Sequence, residues 1–149
     1  MARESDAAVR AARSRLTEAV RRAAAEGMTQ QEIARAIGRS QPEVSRLLRF
    51  RGDSPLAERV RAAREDIVEA VRRSGGTKVR VFGSVATGQD DAESDVDLLF
   101  TMREPLSLIE LGSLETELSR LVGVEVDLVP ESALRPDLRA RVLAEAVPL

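Results

Sequence analysis

Apolar positions recur at helical spacing through the first half of the chain and alternate in the second. Val9, Ala12, Leu16, Ala19, Val20 and Ala23 form one stripe. They predict a helix over 5–26, with Ser5 or Asp6 at its start and Gly27 past its end. Thr29-Gln-Gln-Glu32 has the form of a capping box, in which threonine and glutamate each satisfy an orphan amide. The helix it opens runs to about Ala36, and Gly38 can supply a left-handed turn. Ser40-Gln-Pro-Glu43 repeats the box and opens a third helix reaching about Arg49; Pro42 is tolerated in a first helical turn. After a break at 50–55, Leu56, Val60, Ala63, Ile67, Ala70 and Val71 share one face of a longer helix, from Pro55 to Arg73, that Ser74-Gly75-Gly76 stops.

The period then changes. Lys78–Phe82, Val96–Thr101 and Val124–Val129 read as strands, with a helix at about Leu106–Leu121 and a short terminal helix at Pro136–Ala146. The fold class is α+β: an all-helical N-terminal domain at 1–54, a connecting helix at 55–76, and a small α/β domain at 77–149.

Composition narrows the chemistry. No apolar run reaches the roughly 18 residues a membrane span needs, and no apolar stretch follows the charged N-terminus, so a cytoplasmic location is expected. There is no cysteine, which excludes disulfides and thiolate metal sites, and no histidine, which leaves carboxylates, lysine or water as bases. There is no tyrosine to modify. The net charge of −2 hides an asymmetry: residues 1–54 carry 11 Arg against 7 acids, and residues 77–149 carry 7 Lys or Arg against 14 acids.

In the basic half, Ile33, Ala34, Ile37, Val44, Leu47 and Leu48 are spaced to pack two short helices together, with Gly38 at the turn. Residues 28–50 resemble a helix-turn-helix of the Cro/Xre repressor kind. That resemblance implies a second helix whose Gln41, Ser45, Arg46 and Arg49 reach bases in the major groove, while Arg39 or Arg51 hold phosphates. Five Arg against two Glu over 29–51 suit a phosphate backbone. Symmetric operator DNA is read by dimers, so a homodimer is expected.

In the acidic half, Gly83-Ser84 follows one strand, and Asp95 and Asp97, two apart, project from the same face of another. A glycine there lets backbone approach a ligand closely, and the following amides and the Ser84 hydroxyl can donate to phosphate oxygens. Asp127 lies on a third strand, with Glu125 on the same face as a rival. Three carboxylates on one face repel each other without a cation, and oxygen-only ligands suit Mg²⁺ held jointly with substrate phosphates.

Gly83-Ser84, ten residues, then Asp95-Val96-Asp97, with Asp127 later, resembles the signature of the DNA polymerase β-like nucleotidyltransferases, in their minimal form. The resemblance covers about 77–149 and implies a mixed sheet, Asp95, Asp97 and Asp127 as catalytic metal ligands, and Gly83 and Ser84 as nucleotide-binding residues. It further implies Mg²⁺ and ATP or another nucleoside triphosphate, and an antitoxin that transfers AMP to a cognate toxin of the HEPN ribonuclease kind. The chain departs from the family at Thr87, where relatives often carry arginine; Arg80 and Lys78 are the nearest substitutes in sequence. The expected function is an antitoxin enzyme that also binds its operator. The alternative is a non-enzymatic DNA-binding regulator with a degenerate nucleotidyltransferase fold.

Overall fold

The computed structural model describes residues 2–50 and 52–149 and divides the chain into two compact units, Met1–Arg49 and Phe50–Leu149. The first is helical: α1 (Ala2–Ala25), α2 (Gln30–Ile37) and α3 (Gln41–Leu48). Its beginnings and ends are local chemistry. The Glu32 amide donates to Thr29 Oγ1 at 3.2 Å while the Thr29 amide donates to Glu32 Oε2 at 2.7 Å, so the first capping box closes in both directions. Gly38 ends α2 at φ 67°, a left-handed conformation open to glycine at little steric cost. The second box is only half formed. Ser40 Oγ accepts from the Glu43 amide at 3.3 Å, but the Glu43 carboxylate lies 3.9 Å from the Arg39 guanidinium instead of returning to residue 40. Val20, Ile33, Ala34 and Val44 are buried where the three helices meet, with Leu16, Ile37, Leu47 and Leu48 packed around them. The apolar positions predicted to join α2 to α3 do so.

The second unit begins with two helices where the apolar pattern predicts one. α4 (Pro55–Ala62) and α5 (Arg64–Arg73) are separated at Ala63, whose ψ of 2° leaves helical geometry. The break lets Leu56, Ala57 and Val60 on α4, and Ile67, Ala70 and Val71 on α5, enter one and the same core. A single straight helix presents one stripe; two helices can each turn a face inward. That core is the underside of the sheet, so residues 55–73 are packed into the α/β unit.

The sheet has the order β3-β2-β1-β4, from β1 (Gly76–Phe82), β2 (Val96–Met102), β3 (Val126–Pro130) and β4 (Val147–Pro148). β1 pairs antiparallel with β2 and with β4; β2 pairs parallel with β3 through the crossover helix α7 (Leu108–Val122). It is therefore the mixed sheet expected. α5 packs on β1, α7 on β3, and the two helices on each other. Val81, Val96, Leu98, Phe100, Val126 and Leu128 fill the space beneath the strands. Gly76 does not merely stop the preceding helix. A Cβ there would fall 2.6 Å from Val71 Cγ1 and 2.7 Å from Phe100 Cδ2, so its lack of a side chain lets the strand close on the core. Alternation sends Asp97, Leu99 and Thr101 to the opposite face, where Leu99 is still fully buried. The short α6 (Gly83–Thr87) packs against β1, β2 and the terminal helix α8 (Pro136–Glu145).

Candidate active site

Asp97 and Asp127 are brought together by register. They are directly paired positions of the parallel strands β2 and β3, so both side chains leave the sheet on one face at one level. Asp95 is the residue leading into β2, exposed and held by a tight turn. In that turn Asp91 Oδ1 accepts from the Glu93 amide at 2.9 Å, and the Asp91 amide donates to Ser94 Oγ at 2.9 Å. Phe82, the last residue of β1, lies opposite Asp97, so the chain enters Gly83 beside that carboxylate. Gly83 has φ 72°, and a Cβ on it would collide with Asp97 Oδ2. Glycine at 83 is thus required twice, by backbone conformation and by the carboxylate alongside. Ser84 follows, half-buried, at the mouth of the same turn.

The electrostatics report the crowding. Asp97 is pushed up to about 6, first by burial, then by the charges of Asp127, Asp95 and Glu145. Asp127 is raised as well, first by burial, then by Asp95 and Glu115. Among the described residues no three acidic groups are set to enclose an ion by themselves. That donor set fits Mg²⁺ of the kind held by one or two carboxylates and completed by substrate phosphates, and it lacks the ligands of an all-protein cage. Glu125, the other acid on this face, stands just outside the paired strands. It precedes β3, and its backbone oxygen accepts from the Val96 amide at 3.0 Å, while its side chain is exposed.

Two residues took part that the sequence pattern did not single out. Glu145, at the end of α8, reaches the field of Asp97 because β4 returns the chain antiparallel to β1. Glu115 on α7 accepts from the Leu128 amide at 2.9 Å, and its charge is felt at Asp127. Both depend on contacts across long sequence separations, which no local periodicity signals. Around position 87, the Thr87 hydroxyl turns back on α6, within 3.2 Å of the Gly83 oxygen and 3.3 Å of the Ser84 oxygen. Arg80, one of the two substitutes considered, is committed elsewhere. Its Nη2 donates to Glu131 Oε2 at 2.8 Å and to Thr101 Oγ1 at 3.3 Å.

Residues 64–149 match the family model of the nucleotidyltransferase domain. The chain belongs to that family. The nucleotidyltransferase unit is accordingly that of an enzyme, of the transferase class. A provisionally named protein adenylyltransferase of Methanocaldococcus jannaschii is 35% identical over 81 residues, which cover 54% of this chain and 87% of that one. Protein adenylyltransferase MntA of Thermococcus cleftensis is 39% identical over 79 residues, covering 53% and 80% of the two chains. A solved structure provisionally identified as a minimal nucleotidyltransferase is 46% identical, with a TM-score of 0.57, over 62% of this chain and 94% of that one. The mixed sheet and its flanking helices are thus a nucleotidyltransferase fold.

In the helical unit, Gln41 and Arg46 on α3 and Arg49 just past its end are exposed, and Ser45 is partly so. Arg39 is exposed in the turn before it. The Gln41 amide donates to the Gln30 side chain, which ties the start of α3 to the start of α2. Arg51, the other residue expected to hold phosphate, lies outside the described residues. Among the described residues no helix is long and apolar enough to cross a membrane.

Proposed function

We propose that the chain transfers AMP from ATP to a hydroxyl of a partner protein, and that the partner is the toxin of a toxin–antitoxin pair. The observation that carries this reading is the pairing of Asp97 with Asp127, with Asp95 beside them, against the Gly83-Ser84 turn. Gly83 and Ser84 present backbone amides and a hydroxyl to the phosphates, and Gly83 lets the nucleotide approach the carboxylates. Asp95, Asp97 and Asp127 would hold Mg²⁺, which when bound offsets their repulsion and polarises the phosphate oxygens. Asp127 takes the proton of the acceptor hydroxyl as that oxygen bonds to the α-phosphorus and pyrophosphate leaves.

That the acceptor is a protein is supported by the relatives named as protein adenylyltransferases. With no tyrosine in the chain, tyrosine self-modification is excluded. The excess of 14 acids over 7 Lys or Arg after residue 76 disfavours a nucleic-acid acceptor and attracts a basic protein such as an RNA-cleaving toxin of the HEPN kind. The helical unit would serve as a helix-turn-helix, with Gln41, Ser45, Arg46 and Arg49 at the bases of operator DNA and Arg39 at a phosphate, in a homodimer.

Incubation with labelled ATP, Mg²⁺ and the neighbouring gene product tests the transfer. The product gains one or more AMP groups with the native chain and none with Asp97→Asn. A toxin that is neutralised without gaining mass sinks the transferase reading. A second reading, a regulator that binds nucleotide without transferring it, draws on one observation: the Thr87 hydroxyl is spent on its own helix where relatives often have arginine.

A further inference from the structure

We propose that Arg141, on α8, supplies the positive charge that holds the nucleotide's phosphates at this site. The proposal rests on the nucleotidyltransferase reading and adds a residue to it. The need for a cation is electrostatic. Asp95, Asp97, Asp127 and Glu145 all bear on the same end of the sheet, and each repels a triphosphate. The Gly83-Ser84 turn offers neutral donors only.

The topology brings α8 to that end. β4 pairs with β1 so that Arg80 lies opposite Pro148 and Val81 opposite Val147. α8 ends at Glu145 and β4 begins two residues later at Val147, opposite Val81, so the end of α8 is delivered beside the end of β1 that runs into Gly83, and Phe82 there is the partner of Asp97. α8 packs on α6, the helix that starts at Gly83. Glu145 is therefore a neighbour of the phosphate turn, and its charge at Asp97 agrees. Arg141 stands one helical turn before Glu145 on the same flank of α8, with Nε 4.0 Å from Glu145 Oε1.

The other cations on the two elements flanking Gly83 are engaged or distant. Arg80 and Arg139 both bind Glu131, at 2.8 Å and 3.1 Å. Arg135 is paired with Asp137 at 3.2 Å. Lys78 sits at the irregular start of β1, five residues and so roughly 16 Å of strand from Gly83. Arg141 is the guanidinium with least to lose. Its side chain is 68% exposed and its 4.0 Å pair with Glu145 is of the kind that contributes little in water. A phosphate offers it a shorter, two-pronged partner. Glu145 then acts as a positioning residue that keeps the guanidinium at the mouth of the site until the nucleotide arrives.

Calorimetric titration of the full chain with ATP, ADP and AMP in Mg²⁺ tests this. Arg141→Ala should weaken ATP binding at least tenfold, with a smaller loss for ADP and the smallest for AMP, and with an unchanged melting temperature. Arg141→Lys should recover part of the loss. Arg135→Ala, which removes the same charge from the start of α8, should bind ATP as the native chain does. ATP affinity within twofold of native in Arg141→Ala, or an equal loss in Arg135→Ala, overturns the assignment. A native chain that binds none of the three nucleotides overturns the nucleotidyltransferase reading of the site itself, an outcome distinct from either of those.

Discussion

The helical unit and the nucleotidyltransferase unit spend their residues in opposite ways. Among the described residues of the unit at 1–49, Val20, Ile33, Ala34 and Val44 form the buried core, and nearly all the arginines are in solvent. Its boundaries come from caps that lie within three or four residues of what they cap. The described residues of the unit at 50–149 include a core of 21 buried residues, and this unit places its decisive side chains by strand register. The larger core lets the second unit carry a fault. It gathers like charges on one face, where Asp97 resists ionisation. A unit with four core residues has no such margin. The lesson is that the site belongs where the core is large enough to hold carboxylates that would otherwise move apart.

This contrast can be broken by experiment, and the largest effect expected is on chemistry. Asp97→Asn should lower AMP transfer by at least about 100-fold, since charge stabilisation at such sites contributes several kcal/mol. Transfer within tenfold of native would mean that the paired carboxylates are not the working site. Next comes Ile33→Ala, in the small core. It should cost about 2–5 kcal/mol, enough to unfold a unit of this size, and circular dichroism should show the loss of helix. AMP transfer should persist in the same variant; its collapse would show that the second unit needs the first in order to fold. Third, replacing Arg46 and Arg49 by Ala should weaken operator binding by about 1–3 kcal/mol for each residue that reads a base, in a gel-shift titration at fixed salt. No preference of the native chain for operator over random DNA would remove the regulatory role from the helical unit.

The smallest effect sharpens the comparison most. Burial and neighbours raise Asp97 from 3.8 to about 6, so the folded state takes up a proton between those values. The contribution of Asp97 to stability is then most favourable below pH 3.8 and falls as pH rises towards 6, above which Asp97 is ionised in both states. Asp97→Asn removes this loss. At pH 7.5 the variant should be more stable by about 1 kcal/mol, discounted for solvent at a half-exposed group, and melt about 3 °C higher. At pH 3.5 the two should melt together. Equal melting at both pH values would show that the site stores no repulsion.

Much of this was legible in the chain because local rules suffice for it. Thr29 with Glu32, and Gly38 past the helix end, need only their own neighbours, and the structure has them as the spacing predicts. Gly83-Ser84 and Asp95-Val96-Asp97 were legible because their spacing is a property of one short segment. What local rules missed is instructive. The break at Ala63 carries neither Gly nor Pro; it arises because α4 and α5 share a core. Ser107 and Glu110 form a full capping box that starts α7 two residues later than the apolar pattern suggested. Glu145 and Glu115 become visible as neighbours of the site only once β4 and α7 are folded against it.

The outer edge of β3 carries one more consequence. Its outward amides at Val126 and Leu128 donate to Ser119 Oγ at 3.0 Å and Glu115 Oε2 at 2.9 Å, both from α7. A strand edge is ordinarily a template on which another chain can lengthen the sheet. Here the template is already written over. A foreign strand would first have to displace a hydroxyl and a carboxylate, and that carboxylate is one whose charge reaches Asp127. Lengthening the sheet along this edge would thus also move a negative charge that bears on the candidate site.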